Sequence, residues 1–273
     1  MTARTLARRI VLRTTEREVF TAIRFLECTP DLPASTEADL VITIEPFRGW
    51  YRIIEPGRPV KEVLDTRSVV DLLHGRVFFH SLEGPARSGF VHAALLRRGP
   101  RRVLIAGSKG AGKTSLALRL LGAGYDVEGD EHVFLKDGGV IARPRGCRVK
   151  GPSVALLPEF ADAILAAPVY LDVRGSQIFN VSPAALGGSW RIQHGKVDCV
   201  IVLQPNHGGY SSLRPLVPSV TAQALISELR IHAGDRGPAI QAVAALVSEA
   251  KGYDLSLGDY HSAVECIDRA LDA

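Results

Sequence analysis

The residues with the clearest chemical content are Gly107-Ser108-Lys109-Gly110-Ala111-Gly112-Lys113-Thr114, which fit G-x-x-x-x-G-K-[ST] at every fixed position. Glycines let a backbone curl so that successive N–H groups face phosphate oxygens, and a following helix adds the positive end of its dipole. In this reading the cradle runs from Gly107 through Ser115. Lys113 reaches the β- and γ-phosphates of a nucleoside triphosphate, and the Thr114 hydroxyl ligates Mg²⁺.

Phosphoryl transfer also needs acids beside the γ-phosphate. No apolar strand here runs into Asp in the usual way: residues 200–203 lead into Gln204, and Asp198 precedes them. The block Gly124-Tyr125-Asp126-Val127-Glu128-Gly129-Asp130-Glu131 follows the loop at a distance that allows one helix and a return strand. One of the adjacent acids Asp130 and Glu131 can hold Mg²⁺ while the other takes a proton from an attacking hydroxyl. The alternative is a solvated acidic turn before the strand at 132–135. The basic run Arg143-Pro144-Arg145-Gly146-Cys147-Arg148-Val149-Lys150 offers clamps for equatorial phosphoryl oxygens, with Arg148 and Lys150 placed on one face by strand alternation. A basic strand edge that resists aggregation is the competing reading. Residues 185–196, with glycines, Trp190 and Arg191, read as a mobile lid or as an ordinary flexible loop.

These groups need positioning elements. Residues 103–106 form an apolar strand into the loop, 115–121 continue as a helix, and 90–96 pair with 102–106 through an arginine-rich turn. Residues 197–203 read as a buried strand, and apolar periodicity at 222–231, 239–246 and 263–271 reads as supporting helices. The first 88 residues form a small strand-rich unit, with strands at 9–12, 40–44 and 50–54, a short helix at 68–73 and a surface loop at 29–33.

Two of these features, with one more, resemble the catalytic domain of HPr kinase/phosphorylase and its related kinases. The phosphate loop is the first. The second is the spacing from Gly124 to Asp130-Glu131, similar to that family's Gly-x-x-x-x-Ala-Asp-Asp, and the third is Val91-His92-Ala93-Ala94-Leu95, similar to its Leu-His-Gly-x-Leu strand. The resemblance implies Asp130 as general base with His92 nearby. A weaker echo of the family's Glu-Ile-Arg-Gly signature, Leu171-Asp172-Val173-Arg174-Gly175, implies Asp172 near the metal; a core strand with a solvated Asp-Arg end is the alternative. Lys109, Ser115 and Glu131 stand where the bifunctional enzymes usually carry Ser, Glu and Asp, which sets this chain apart from them.

The expected fold is therefore α/β. It has a P-loop nucleotide-binding core of the HPr kinase/PEP carboxykinase-like type with a mixed sheet over residues 89–273, behind a smaller α/β unit over 1–88. The expected activity is ATP- and Mg²⁺-dependent transfer to a serine of a protein or peptide, some related kinases acting on ribosomally made peptides. A regulatory NTPase switch and a small-molecule phosphotransferase are the alternatives.

Composition agrees with this class and excludes others. The chain has 273 residues, 46% hydrophobic and 23% charged, which suits a folded domain rather than a disordered tail or a coiled coil. Thirty-three Lys+Arg against 29 Asp+Glu leave a net charge of +4, a balance for anionic ligands rather than a nucleic-acid surface. The apolar runs are too short to cross a membrane, and no signal peptide is legible after the basic start. Four scattered cysteines, without a C-x-x-C pair, fit a reducing cytoplasm and no zinc site. A homo-oligomer is compatible with the resemblance.

Overall fold

The computed structural model describes all residues except 33–38, 84–88, 173, 207, 232–235 and 273. The expected boundary between residues 88 and 89, and the last residue of the expected 29–33 loop, lie outside the described residues.

The N-terminal unit is a five-stranded sheet in the order β1 (Thr2–Arg4), β2 (Arg9–Thr14), β3 (Leu40–Phe47), β4 (Trp50–Ile54) and β5 (Lys61–Val63). β2 and β3 run parallel, and the chain returns between them through α1 (Arg17–Ile23). Alternation in β2 and β3 buries Ile10, Leu12, Leu40, Ile42 and Ile44 on one face. α2 covers that face over Thr66–Ser81, longer than the short helix read from sequence. Asp65 caps it by accepting from the Ser68 N–H at 2.7 Å, and Val69, Leu73 and Val77, four residues apart, carry its buried stripe past Gly75.

The second sheet is mixed and nine-stranded. Its strands and the elements around them are, in chain order, β6 (Phe90–Arg98), β7 (Arg101–Ala106), α3 (Lys113–Gly122), β8 (Asp126–Gly129), β9 (His132–Lys136), β10 (Gly139–Ala142), β11 (Cys147–Lys150), α4 (Ala161–Leu165), β12 (Val169–Leu171), β13 (Gln177–Val181), β14 (Cys199–Pro205), β15 (Ser212–Leu216), α5 (Pro218–Ser227), β16 (Leu229–Arg230), α6 (Gly237–Glu249), β17 (Lys251–Leu257) and α7 (Tyr260–Asp272). β7, β14 and β17 are parallel neighbours, and the runs of β7 and β14 are apolar because both faces are covered. β11, β13 and β12 form a separate three-stranded antiparallel sheet. The helix expected at 222–231 ends earlier: Leu229 and Arg230 leave it to pair with Val91 and Phe90 of β6.

β6 organises the site. Its outer half pairs with β8 at Leu95–Arg97 and its inner half with β9 at Phe90–His92, with a register shift at Leu95/Leu96. The chain between β8 and β9 is Asp130-Glu131, so the two acids sit at an interruption in the ladder, where the Ala93 N–H reaches the Glu131 carbonyl at 3.3 Å. That irregularity turns an acid out of the pleat toward the neighbouring loop.

The segment expected to act as a lid or a flexible loop is instead fixed at its C-terminal half. Buried Arg102 makes a bidentate pair with buried Glu128, both contacts 2.9 Å, and also donates to the carbonyls of Gln193 and Lys196. Trp190 is buried and its indole N–H points at the Glu128 carbonyl. Arg191 reaches Asp31 of the N-terminal unit at 2.9 Å, beside two backbone bonds that join Asp31 to Trp190 and Ile192. These contacts make residues 190–196 a strap across the core.

Candidate active site

Strand β7, the glycine loop and helix α3 follow one another in the order phosphate binding requires. Gly112 is the N-cap of α3 with φ +99°, and no side chain caps the helix, so its first N–H groups face the loop. An alanine Cβ at Gly112 would sit 2.9 Å from the Leu257 side chain, so the loop is shaped by close packing as well as by φ. Ser108, Lys109 and Gly110 are exposed at the rim, while Ala111 and Ser115 are buried beneath it.

Lys113 is 6% exposed, and its ammonium donates to the carbonyls of Gly107 at 2.6 Å and Ser108 at 3.0 Å. Burial pushes its pKa down, and Glu228 and Asp130 pull it back up. The lysine thus lies folded along the loop, next to its backbone N–H groups.

Asp130 lies at the start of that same helix. Its carboxylate accepts from the Thr114 hydroxyl at 3.0 Å and from the Arg148 backbone N–H at 3.3 Å. At 7% exposure, desolvation raises its pKa to about 6, against the lowering effects of those two hydrogen bonds, Arg145 and Lys113. A carboxylate poised near neutrality and joined to the loop threonine fits a proton acceptor.

Glu131 faces the other way. It is ion-paired with Arg145, and Arg148 approaches it at 3.7 Å. Arg148 itself lies over the Tyr170 ring, 4.8 Å from its centroid. Lys150, at the end of β11, is exposed, so the alternation that pairs it with Arg148 in the strand leaves it out in solvent. His92 stands between loop and helix end, its Nδ1 3.6 Å from Glu228. Burial and then the positive field of Lys113, Arg230 and Lys109 push it down to about 4, so it is neutral at neutral pH. Asp172 caps its own turn, accepting from the Arg174 and Ser176 N–H groups at 2.9 Å. Those bonds, Ser176 first, hold it below the usual carboxylate range.

The structure thus brings together Lys113, Thr114, Asp130 and, one residue on, Glu131. It leaves Lys150 outside and occupies Asp172 with its turn. Among the described residues no three His, Cys, Asp or Glu side chains cluster as a metal site. Oxygen donors for Mg²⁺ would come from Thr114 and Asp130 together with phosphate, the sparse protein set that Mg²⁺ usually takes, whereas Glu131 is engaged by Arg145. Two groups escaped the sequence reading as individuals. Arg145 had no distinction within its basic run, and Glu228, beside Lys113 and His92, stands at a helix end with no motif around it.

No family model matches the chain, and no curated protein matches it. Among solved structures the chain is similar to an HPr(Ser) kinase/phosphatase from Coxiella burnetii, with 14% identity and a TM-score of 0.32 over 66% of this chain and 94% of that one.

Proposed function

We propose that the chain is an ATP- and Mg²⁺-dependent kinase that phosphorylates a hydroxyl, in our reading a serine, of a protein or peptide. The observation that carries this is Asp130: a buried carboxylate near pKa 6, hydrogen-bonded to the threonine of a complete phosphate-loop sequence. The sequence resemblance to HPr-kinase-related enzymes points the same way.

The loop N–H groups and Lys113 bind the β- and γ-phosphates, Lys113 exchanging its two carbonyl partners for phosphate oxygens. Mg²⁺, when bound, neutralises charge on those oxygens. The acceptor hydroxyl gives its proton to Asp130 as its oxygen bonds to the γ-phosphorus. The bond from that phosphorus to the β–γ bridging oxygen breaks, and ADP leaves with the electron pair. Arg148 supplies positive charge beside the acids, and neutral His92 lines the approach. A base at pKa 6 is ionised at neutral pH and remains basic enough to accept.

Titrating a fluorescent ATP analogue at low and high Mg²⁺ tests the assignment. Lys113→Ala should lose affinity at both concentrations, because its charge meets the phosphates directly. Asp130→Asn should bind normally if the residue is the base, and should need more Mg²⁺ if it also holds the metal. Unchanged binding in Lys113→Ala contradicts the reading. Steady phosphate release that no acceptor peptide alters would favour an NTPase switch instead.

A further inference from the structure

We propose that the crevice between the N-terminal unit and the core binds a small tetrahedral oxyanion, inorganic phosphate or a phosphate monoester, through Arg143 and Arg145. The crevice is a cavity of about 30 Å³ lined by both arginines together with Arg4, His74, Tyr170 and Asn180. That volume exceeds the ~10–15 Å³ one water needs, so the crevice has room for more than one water-sized group.

Arg143 is 5% exposed, yet among the described residues no carboxylate pairs with it. Its contacts are the His132 Nδ1 at 3.1 Å and the Phe78 face at 4.7 Å, and its Nε has no hydrogen-bond partner. A buried guanidinium normally has an anion, because an unpaired buried charge is costly. The Tyr170 hydroxyl is likewise buried without a partner. Asn180 is held in place by donating to the Phe25 carbonyl at 2.8 Å, and Phe25 stacks on Tyr170, so the wall is rigid. Glu27, the carboxylate on the lining, is exposed.

The potential inside is positive. His74 is pushed down to about 4 by burial and then by Arg145, Arg148 and Arg143, so it is a neutral ring in a cationic pocket. Two guanidinium forks, with a hydroxyl and an imidazole on the same lining, suit oxygens spread over a tetrahedron better than a flat carboxylate. Arg145 also pairs with Glu131, so an anion in the crevice and the acid beside Asp130 share one guanidinium.

The test uses the full chain carrying Lys113→Met, which weakens phosphate binding at the glycine loop. Thermal unfolding is followed against inorganic phosphate and, separately, O-phosphoserine. Phosphate should raise Tm in a saturable way. Adding Arg143→Gln should weaken the apparent affinity about 10-fold or more, as expected for one charge-assisted donor. Should Arg143→Gln fail to fold, Tyr170→Phe is the second variant, with a loss of roughly 3–10-fold for one hydroxyl. A response to phosphoserine at least equal to that of phosphate identifies a monoester site, and a response to phosphate alone identifies the free ion. Crystals soaked in tungstate should show anomalous density between Arg143 and Arg145. A Tm indifferent to both anions, a response that the tested variant leaves unchanged, or tungstate bound only at the glycine loop overturns the proposal.

Discussion

Replacing Asp130 with Asn should stabilise the protein at neutral pH while removing its chemistry. In the unfolded chain this carboxyl titrates near 3.8, and in the fold near 6, because burial disfavours its charged form. Between those values the folded state holds more protons than the unfolded state, so stability falls as pH rises through the window. The cost of the charge is complete above pH 6 and absent below about pH 4. At 1.36 kcal/mol for each pKa unit, it amounts to about 3 kcal/mol. Asn carries no such cost, but its single carbonyl oxygen serves only one of the donors Thr114 and Arg148 N–H, a loss of about 1 kcal/mol. The variant should therefore be about 2 kcal/mol more stable than wild type at pH 8 and about 1 kcal/mol less stable at pH 4. Urea unfolding of both proteins across that range, without nucleotide, measures the difference directly, and other titrating groups cancel in it. A pH-independent difference, or a variant less stable throughout, would refute the claim that Asp130 is a desolvated base.

The same carboxyl should place the acid limb of kcat/KM near pH 6, read from a pH–rate profile, with activity lost as Asp130 protonates below it. Breaking the Arg102–Glu128 pair by Glu128→Gln should cost about 3–5 kcal/mol in urea unfolding, since it strands a guanidinium that is 7% exposed. The same variant should expose the 190–196 strap to proteolysis. Gly112→Ala should lose about 1–2 kcal/mol of stability from its positive φ, and should lose nucleotide affinity by more than that strain predicts, because the helix N-terminus moves. Isothermal titration beside thermal unfolding separates the two effects.

The parts of the candidate site that are legible in the sequence are those whose structure is local. The glycine loop, its strand and its helix are contiguous, and the backbone chemistry that fixes them needs only neighbouring residues. Asp130 was legible because one helix and one return strand put a fixed distance between it and Lys113. What failed depends on contacts from far along the chain. The strap around Trp190 reads as a lid or an ordinary flexible loop until Arg102 and Glu128, distant in sequence, close on it. α2 reads short because Gly75 interrupts a pattern that burial against the N-terminal sheet sustains. β17 is a parallel neighbour of β14, yet Lys251, Gly252 and Asp254 make its run look unlike a buried strand. Arg143, Arg145 and Arg148 share one basic run, and only the fold separates a partnered cation from an orphaned one.

In the proposed reaction Asp130 takes the acceptor's proton during phosphoryl transfer. The most direct measurement follows γ-labelled phosphate from Mg·ATP into serine-containing peptides, with wild type and Asp130→Asn compared at saturating nucleotide. The account predicts labelled peptide from wild type, with nucleotide affinity retained and the transfer rate down about 10²–10⁴-fold in the variant. Transfer at the wild-type rate by Asp130→Asn would contradict it.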